Sequence, residues 1–325
     1  MTSSKSGDGS AIRARGLGRT FDVRRRVGKL RRSRETVTAV EDVTFAVEPG
    51  ELVGYIGPNG AGKSTTIKML TGILMPTSGD LTVAGLNPQE RRTELARRIG
   101  VVFGQRTSLW WDLPLRDSFT LLQKIYRVEP ARFAANLDQF CDLLDLGPLL
   151  DTPVRQLSLG QRMRGDIAAA LLHDPEIVFL DEPTIGLDIV SKARLREFLR
   201  ALNAERGVTM VLTTHDLSDI EALCERVLVI DHGHLVFDDT LRALRGLHGT
   251  QRTLIVDLAT QIEPVSVPGA VVTQVDGPRQ WLTFPTDHSA APIIAALAST
   301  YDVVDLTVRE PEIEDVIARL YAGRG

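Results

Sequence analysis

The chain has 325 residues, with 38 Lys plus Arg against 42 Asp plus Glu and a formal net charge of −4; at roughly 150 residues per domain, about two domains are expected. Apolar residues make up 43% and charged residues 25%, a balance that excludes a disordered or fibrous chain and implies an ample core. No unbroken run of AVILMFWYC residues exceeds six, as in Ile167 to Leu172, against roughly 20 for a spanning helix. The start, MTSSKSGDGS, has no apolar h-region, and Cys141 and Cys224 are too few for a disulfide framework, so the reducing cytosol is the expected compartment.

In chain order, residues 1–10 are small and polar and predict a tail. From Ala11, short β-like runs alternate with helical segments, the pattern of α/β layering around a mostly parallel sheet. Glu51 to Gly57 predicts a strand running into a Gly-rich turn, and Lys63 to Leu74 a helix. Ile99 to Phe103 is a second strand. Between Asp112 and Leu172 the Leu/Ala-rich helical period predicts an inserted helical subdomain. Strands return at Ile177 to Leu180, Val208 to Thr213 and Arg226 to Ile230. Beyond about Gly246 the composition shifts toward Val, Thr and Pro. There, strands are expected at Thr253 to Leu258, Val271 to Val275, Gln280 to Phe284 and Val303 to Val308, and helices at Ala290 to Ala298 and Glu312 to Tyr321.

The strongest chemical signal is Gly57-Pro58-Asn59-Gly60-Ala61-Gly62-Lys63-Ser64-Thr65, a P-loop pattern between a strand and a helix. Glycines let successive backbone N–H groups turn inward around phosphate oxygens, and the helix N-terminus adds its positive dipole end. Lys63 is placed to reach the β/γ-phosphates and the Ser64 hydroxyl to ligate Mg²⁺. The apolar run Ile177 to Leu180 ends in Asp181 and Glu182. Asp181 would hold Mg²⁺ through water, and Glu182 would orient or deprotonate the attacking water.

With these residues in place the sequence resembles the ATP-binding subunit of an ABC transporter. Leu157-Ser158-Leu159-Gly160-Gln161 resembles the family's LSGGQ signature, Gln105 its Q-loop glutamine and magnesium ligand, Gly186-Leu187-Asp188 its D-loop, and Thr213-Thr214-His215-Asp216 its switch histidine. Phe21 matches the aromatic on which the family stacks adenine; a core phenylalanine is the other reading. The chain departs from the signature at Leu159, where a Cβ disfavours positive φ. The resemblance implies an α/β, P-loop ABC-type ATPase core over residues 11–245. Its helical subdomain spans about 112–172, and a small C-terminal α+β domain follows over 246–325. It further implies ATP and Mg²⁺ as ligands and a head-to-tail homodimer with each ATP between the P-loop of one subunit and the signature of the other. The partners would be transmembrane permease subunits at the cytoplasmic face of the membrane.

A narrower resemblance, to daunorubicin and viologen exporter ATPases, rests on three stretches. These are Val102 to Arg106 with Trp110-Trp111-Asp112, Thr152 to Gln156, and Asp181 to Gly186. It implies export of a drug-like or lipid-like small molecule. The tryptophans either meet the permease or pack the helical subdomain. Two competitors remain, a soluble member of the superfamily and an importer ATPase. A single P-loop and a compact insert weigh against the first, and a tail ending in helices weighs against the second. The run from Arg24 to Arg34 carries seven positive charges and no acid. It predicts a solvated loop between two strands, or a contact with anionic headgroups or an acidic permease loop. Without interleaved aromatics it does not suggest nucleic acid.

Overall fold

The computed structural model describes residues 9–27, 31–104, 106–247, 251–260, 263–310 and 313–322. They form two compact units, 1–238 and 239–325.

The first unit opens with two long strands, β1 (Ile12–Val27) and β2 (Arg31–Val47), which with β4 (Ser78–Val83) make an antiparallel sheet ordered β2-β1-β4. A second sheet holds β5 (Ile99–Phe103), β6 (Ile177–Asp181), β7 (Thr209–Thr213), β3 (Leu52–Ile56), β8 (Arg226–Asp231) and β9 (His234–Thr240), in that spatial order. The first five run parallel. Their near-continuous apolar sequences, such as Ile177-Val-Phe-Leu, are those of strands covered on both faces. Tyr55, Phe179, Val211 and Leu228 join the two sheets into one core with Ile12, Val43 and Phe45.

Helix α1 (Lys63–Leu70) follows β3 and the short α2 (Arg92–Leu95) precedes β5. The expected helical insert consists of α3 (Leu115–Tyr126), α4 (Pro130–Leu144) and α5 (Leu159–Leu171), joined by two 3₁₀ turns. Helix α3 turns Leu115, Phe119 and Leu122 inward at i, i+4 and i+7 spacing. Helix α4 starts with Pro130 at its first position and Glu129 accepting from Arg132 N–H at 2.9 Å. Helices α6 (Ile189–Arg206) and α7 (Leu217–Leu223) alternate with β6, β7 and β8.

The basic run departs from expectation. It is not a loop, because β1 and β2 continue their pairing through it, with Arg24 opposite Arg34, Arg26 opposite Arg32, and Val27 opposite Arg31. Residues 28–30, including Lys29, lie outside the described residues.

The second unit begins with α8 (Leu241–Arg245), ahead of the composition shift at Gly246. Its antiparallel sheet is ordered β11 (Val271–Asp276), β12 (Arg279–Pro285), β10 (Gln251–Leu258), β13 (Val303–Arg309). Alternating Leu254, Val256 and Leu258 pack with Leu282 and Phe284 against Ile293 and Leu297 of α9 (Ala290–Thr300). A last helix, α10, spans Ile313–Ala322. Among the described residues no helix is long and apolar enough to cross a membrane.

Candidate functional site

A cleft of about 520 Å³ opens where the parallel strands end, and Pro58, Asn59, Gly60, Gly62, Lys63, Ser64, Thr65, Asp181 and Glu182 all line it. Gly57 leads into it from β3, and Ala61 is buried behind it. In open α/β sheets this is where ligands bind. The turn into α1 depends on Gly62, whose φ is 109° and whose hydrogen a Cβ would replace only 2.5 Å from the Ala39 carbonyl oxygen. No side chain caps α1 and no acid lies in its first turn, so the first N–H groups face the cleft uncontested. Lys63 Nζ donates to the carbonyls of Gly57 and Pro58. Its partial burial lowers the pKa, and the Glu182 and Asp181 charges offset part of that.

Opposite the loop, β5, β6 and β7 align Phe103, Asp181 and Thr213 at one level. The Thr213 hydroxyl donates to Asp181 Oδ1, fixing the carboxylate. Next along, Glu182 turns out of the strand with φ 56° and its N–H donates to the Thr213 carbonyl at 2.9 Å. His215 Nδ1 lies 2.7 Å from Glu182 Oε2, with 74% of the imidazole exposed. Asp181 and Glu182 therefore stand across the cleft from the P-loop, and the exposed His215 touches Glu182 from outside the cleft lining. An uncapped helix start, a lysine held at its lip, and an all-oxygen pair of Ser64 and Asp181 fit a nucleotide phosphate with a hard divalent cation.

Other expected site residues lie away from this cleft. Ser158 caps α5 in a reciprocal box, accepting from Gln161 N–H at 3.2 Å while its own N–H donates to Gln161 Oε1 at 2.8 Å. Leu159 is the first residue of α5 and is not among the positive-φ residues. The Cβ that replaces the usual glycine hydrogen thus meets no backbone constraint, and its side chain packs on Gly186, as Gly160 does on the Gly186 carbonyl. Asp188 caps α6 by accepting from Ser191 N–H and O–H at 2.8 and 2.7 Å, and these bonds hold its pKa low. Phe21 sits on β1 outside the cleft lining, with the Arg19 guanidinium 4.6 Å from its ring centroid. Gln105 lies outside the described residues. Trp110 and Trp111 are 37% and 50% exposed.

Ala39, Lys68, Ile73, Phe103, Gly104 and Arg106 also line the cleft, and the sequence did not mark them as binding residues. Lys68 was the findable one, one turn and a half beyond Lys63 on the same helix.

The pattern described as ABC transporter matches residues 40–185. The daunorubicin resistance ATP-binding protein DrrA2 of Streptomyces coeruleorubidus is 31% identical over 329 residues, 98% of this chain and 97% of that protein. The methionine import ATP-binding protein MetN of Latilactobacillus sakei is 31% identical over 304 residues, 90% of this chain and 88% of its own. Among solved structures, a dimeric ATP-binding cassette in a post-hydrolysis state, bound to ADP and Pi, superposes with a TM-score of 0.62 at 27% identity, covering 71% of this chain and 99% of that one.

Proposed function

The chain belongs to the ATP-binding subunits of ABC transporters, and from that membership we propose that it energises export of a drug-like or lipid-like small molecule through separate membrane permease subunits. It is an ATPase. The observation that carries the reading of its site is the Glu182–His215 contact of 2.7 Å beside the Thr213–Asp181 bond, facing Lys63.

In this reading the P-loop N–H groups and Lys63 cradle the phosphates, and Ser64, Asp181 and Gln105 would hold Mg²⁺, which when bound would offset the phosphates' negative charge. Glu182 orients a water against the γ-phosphorus and accepts its proton as the new P–O bond forms and the bond to the β-phosphate oxygen breaks. His215, with its proton on Nδ1, donates to one Glu182 oxygen and leaves the other for that water. Replacing Glu182 with Gln is expected to keep MgATP affinity while lowering turnover by about 10²-fold or more. Turnover near that of the unaltered protein would dismiss the base assignment.

A head-to-tail homodimer, with Ser158, Gly160, Gln161 and Asp188 of one subunit closing on the nucleotide of the other and Phe21 stacking the base, belongs to the same proposal. Its support is the apolar surface beside these residues, with Ile189 87%, Val190 62% and Leu159 40% exposed. Export is favoured by the resistance protein's near-complete coverage; the MetN likeness keeps import as the second reading. ATP-driven uptake of drug into inside-out vesicles carrying the permease would support export, and ATP-driven loss would support import.

The register of the β1–β2 ribbon suggests a further partner. The backbone register sets Arg24 opposite Arg34 and Arg26 opposite Arg32. Like charges opposed in this way disfavour pairing. An anionic lipid surface would offset that at about 1 kcal/mol per arginine, at the cytoplasmic face where the subunit would dock. Co-sedimentation with anionic vesicles, lost at high salt and after changing the four arginines to Ser, is the expected result. Equal binding to neutral vesicles would remove this partner.

A further inference from the structure

Helix α5 carries a carboxylate that the ATP site does not use. Asp166 is 5% exposed and directly precedes the apolar run Ile167 to Leu172. Its Oδ1 accepts from Thr107 Oγ1 at 2.9 Å, Ser108 N–H at 2.8 Å and Ser108 Oγ at 3.0 Å. Burial raises its pKa, and these three donors together with the Arg162 charge pull it back. A buried carboxylate is costly unless its hydrogen bonds are satisfied, and here three hydrogen bonds come from one two-residue stretch of loop.

That loop runs from the cleft to the surface. Arg106 lines the nucleotide cleft. Thr107 and Ser108 are held by Asp166, and Thr107 Oγ1 in turn accepts from Leu109 N–H at 3.1 Å. Leu109, 5% exposed, seats against the backbone of Gly165. Trp110 and Trp111 then emerge at the surface, Trp110 N–H donating to the Ser118 hydroxyl of α3 at 3.1 Å. One turn before Asp166, Arg162 lies 5.4 Å from the Trp111 ring centroid. Positions 162 and 166 share a helix face, so a single face of α5 grips the loop at two points. The same helix begins at Ser158.

We infer that Asp166 is a positioning residue that fastens the loop leaving the nucleotide cleft to helix α5, so that the exposed Trp110–Trp111 pair and the Ser158 helix start move together when the cleft is occupied. The inference rests on the ATP-site reading, since it takes nucleotide to be what arrives beside Arg106. It assigns Asp166 no contact with nucleotide. Loss of the carboxylate leaves nucleotide binding and the fold in place, because Leu109 and Ser118 still anchor the loop, and severs the link between occupancy of the cleft and the tryptophans.

The chain has three tryptophans, and changing Trp281 to Phe leaves Trp110 and Trp111 as the only reporters. In that background MgATP is expected to change the tryptophan emission. Asp166→Ala should bind MgATP with affinity within about threefold by calorimetry yet show less than a third of that change, and Asp166→Asn, whose amide oxygen still accepts from Ser108 N–H, should recover part of it. Should Asp166→Ala not fold, the pair Thr107→Val with Ser108→Ala removes the partners and leaves α5 untouched; the same loss is expected. A full emission response in either variant with binding intact, or no response in the parent while MgATP binds, overturns the inference. Absence of MgATP binding in the parent instead sinks the ATP-site reading, and with it this inference.

Discussion

Helices α1 and α5 begin in opposite ways. The first starts at Gly62 with no side-chain cap, leaving its N–H groups toward the cleft, whereas the second closes its own start with the Ser158–Gln161 box. Both have the dipole of a helix N-terminus, but only α1 offers it without a competitor. The difference teaches that a helix start becomes an anion site through what is withheld from it. At α5 the Ser158 hydroxyl accepts from Gln161 and keeps its own proton to donate, so the proposed contact with a partner's phosphate adds to the cap rather than replacing it.

The largest break in this contrast comes from the open end. Lys63→Ala is expected to weaken MgATP binding by about 1.5–3 kcal/mol, roughly 10- to 150-fold, the value of charge-assisted hydrogen bonds; titration calorimetry measures it. Ser158→Arg should leave monomer affinity unchanged while abolishing turnover, and a mixture of the two variants should regain part of the ATPase rate through one intact composite site per mixed dimer. Two fully active single variants would end the shared-site proposal. Gly62→Ala forces a Cβ into left-handed backbone against the Ala39 carbonyl, a cost of about 1–3 kcal/mol. Chemical denaturation reads it as a lowered midpoint.

Smaller effects sharpen the comparison at the closed starts. Ser158→Ala removes half of the box and should cost about 1 kcal/mol, with no change in MgATP affinity of the monomer. Helix α7 starts at Asp216, which accepts from Ser218 N–H and is paired with Lys192 at 2.6 Å. The Lys192 hydrogen bond, then that of Ser218, lowers its pKa to about 2. A carboxylate with a depressed folded pKa stabilises fully above its unfolded value near 4 and loses that contribution as pH falls toward 2. Denaturation midpoints of the unaltered protein should therefore decline more steeply below about pH 4 than those of Asp216→Asn.

The parallel strands were legible because they are buried on both faces and read as short apolar runs. Strand β4, Ser78-Gly-Asp-Leu-Thr-Val, opens with turn residues, and β9 carries His234, Asp238 and Asp239, so neither stands out by composition. The arginine run read as a loop because a block of like charge reads as a solvated segment; the register set by Thr20 to Val23 against Glu35 to Thr38 carries the ladder onward regardless. The P-loop, Asp181 and Glu182 announced themselves by local spacing. Asp166 did not, since its partners lie 58 and 59 residues away and a lone acid in an Ala-rich helix looks like its solvent side. The Thr213 bond to Asp181 was equally hidden, as it depends on strand register.

The left-handed backbone at Glu182 sets local stability against activity. A non-glycine residue there costs about 1–2 kcal/mol, and glycine would remove that cost along with the carboxylate. With Glu182 as the proposed base, drift toward a less strained chain at this position runs toward a nucleotide-binding protein that does not turn over. The strain marks a place where relief of the backbone and the proposed activity call for different residues, a single substitution apart.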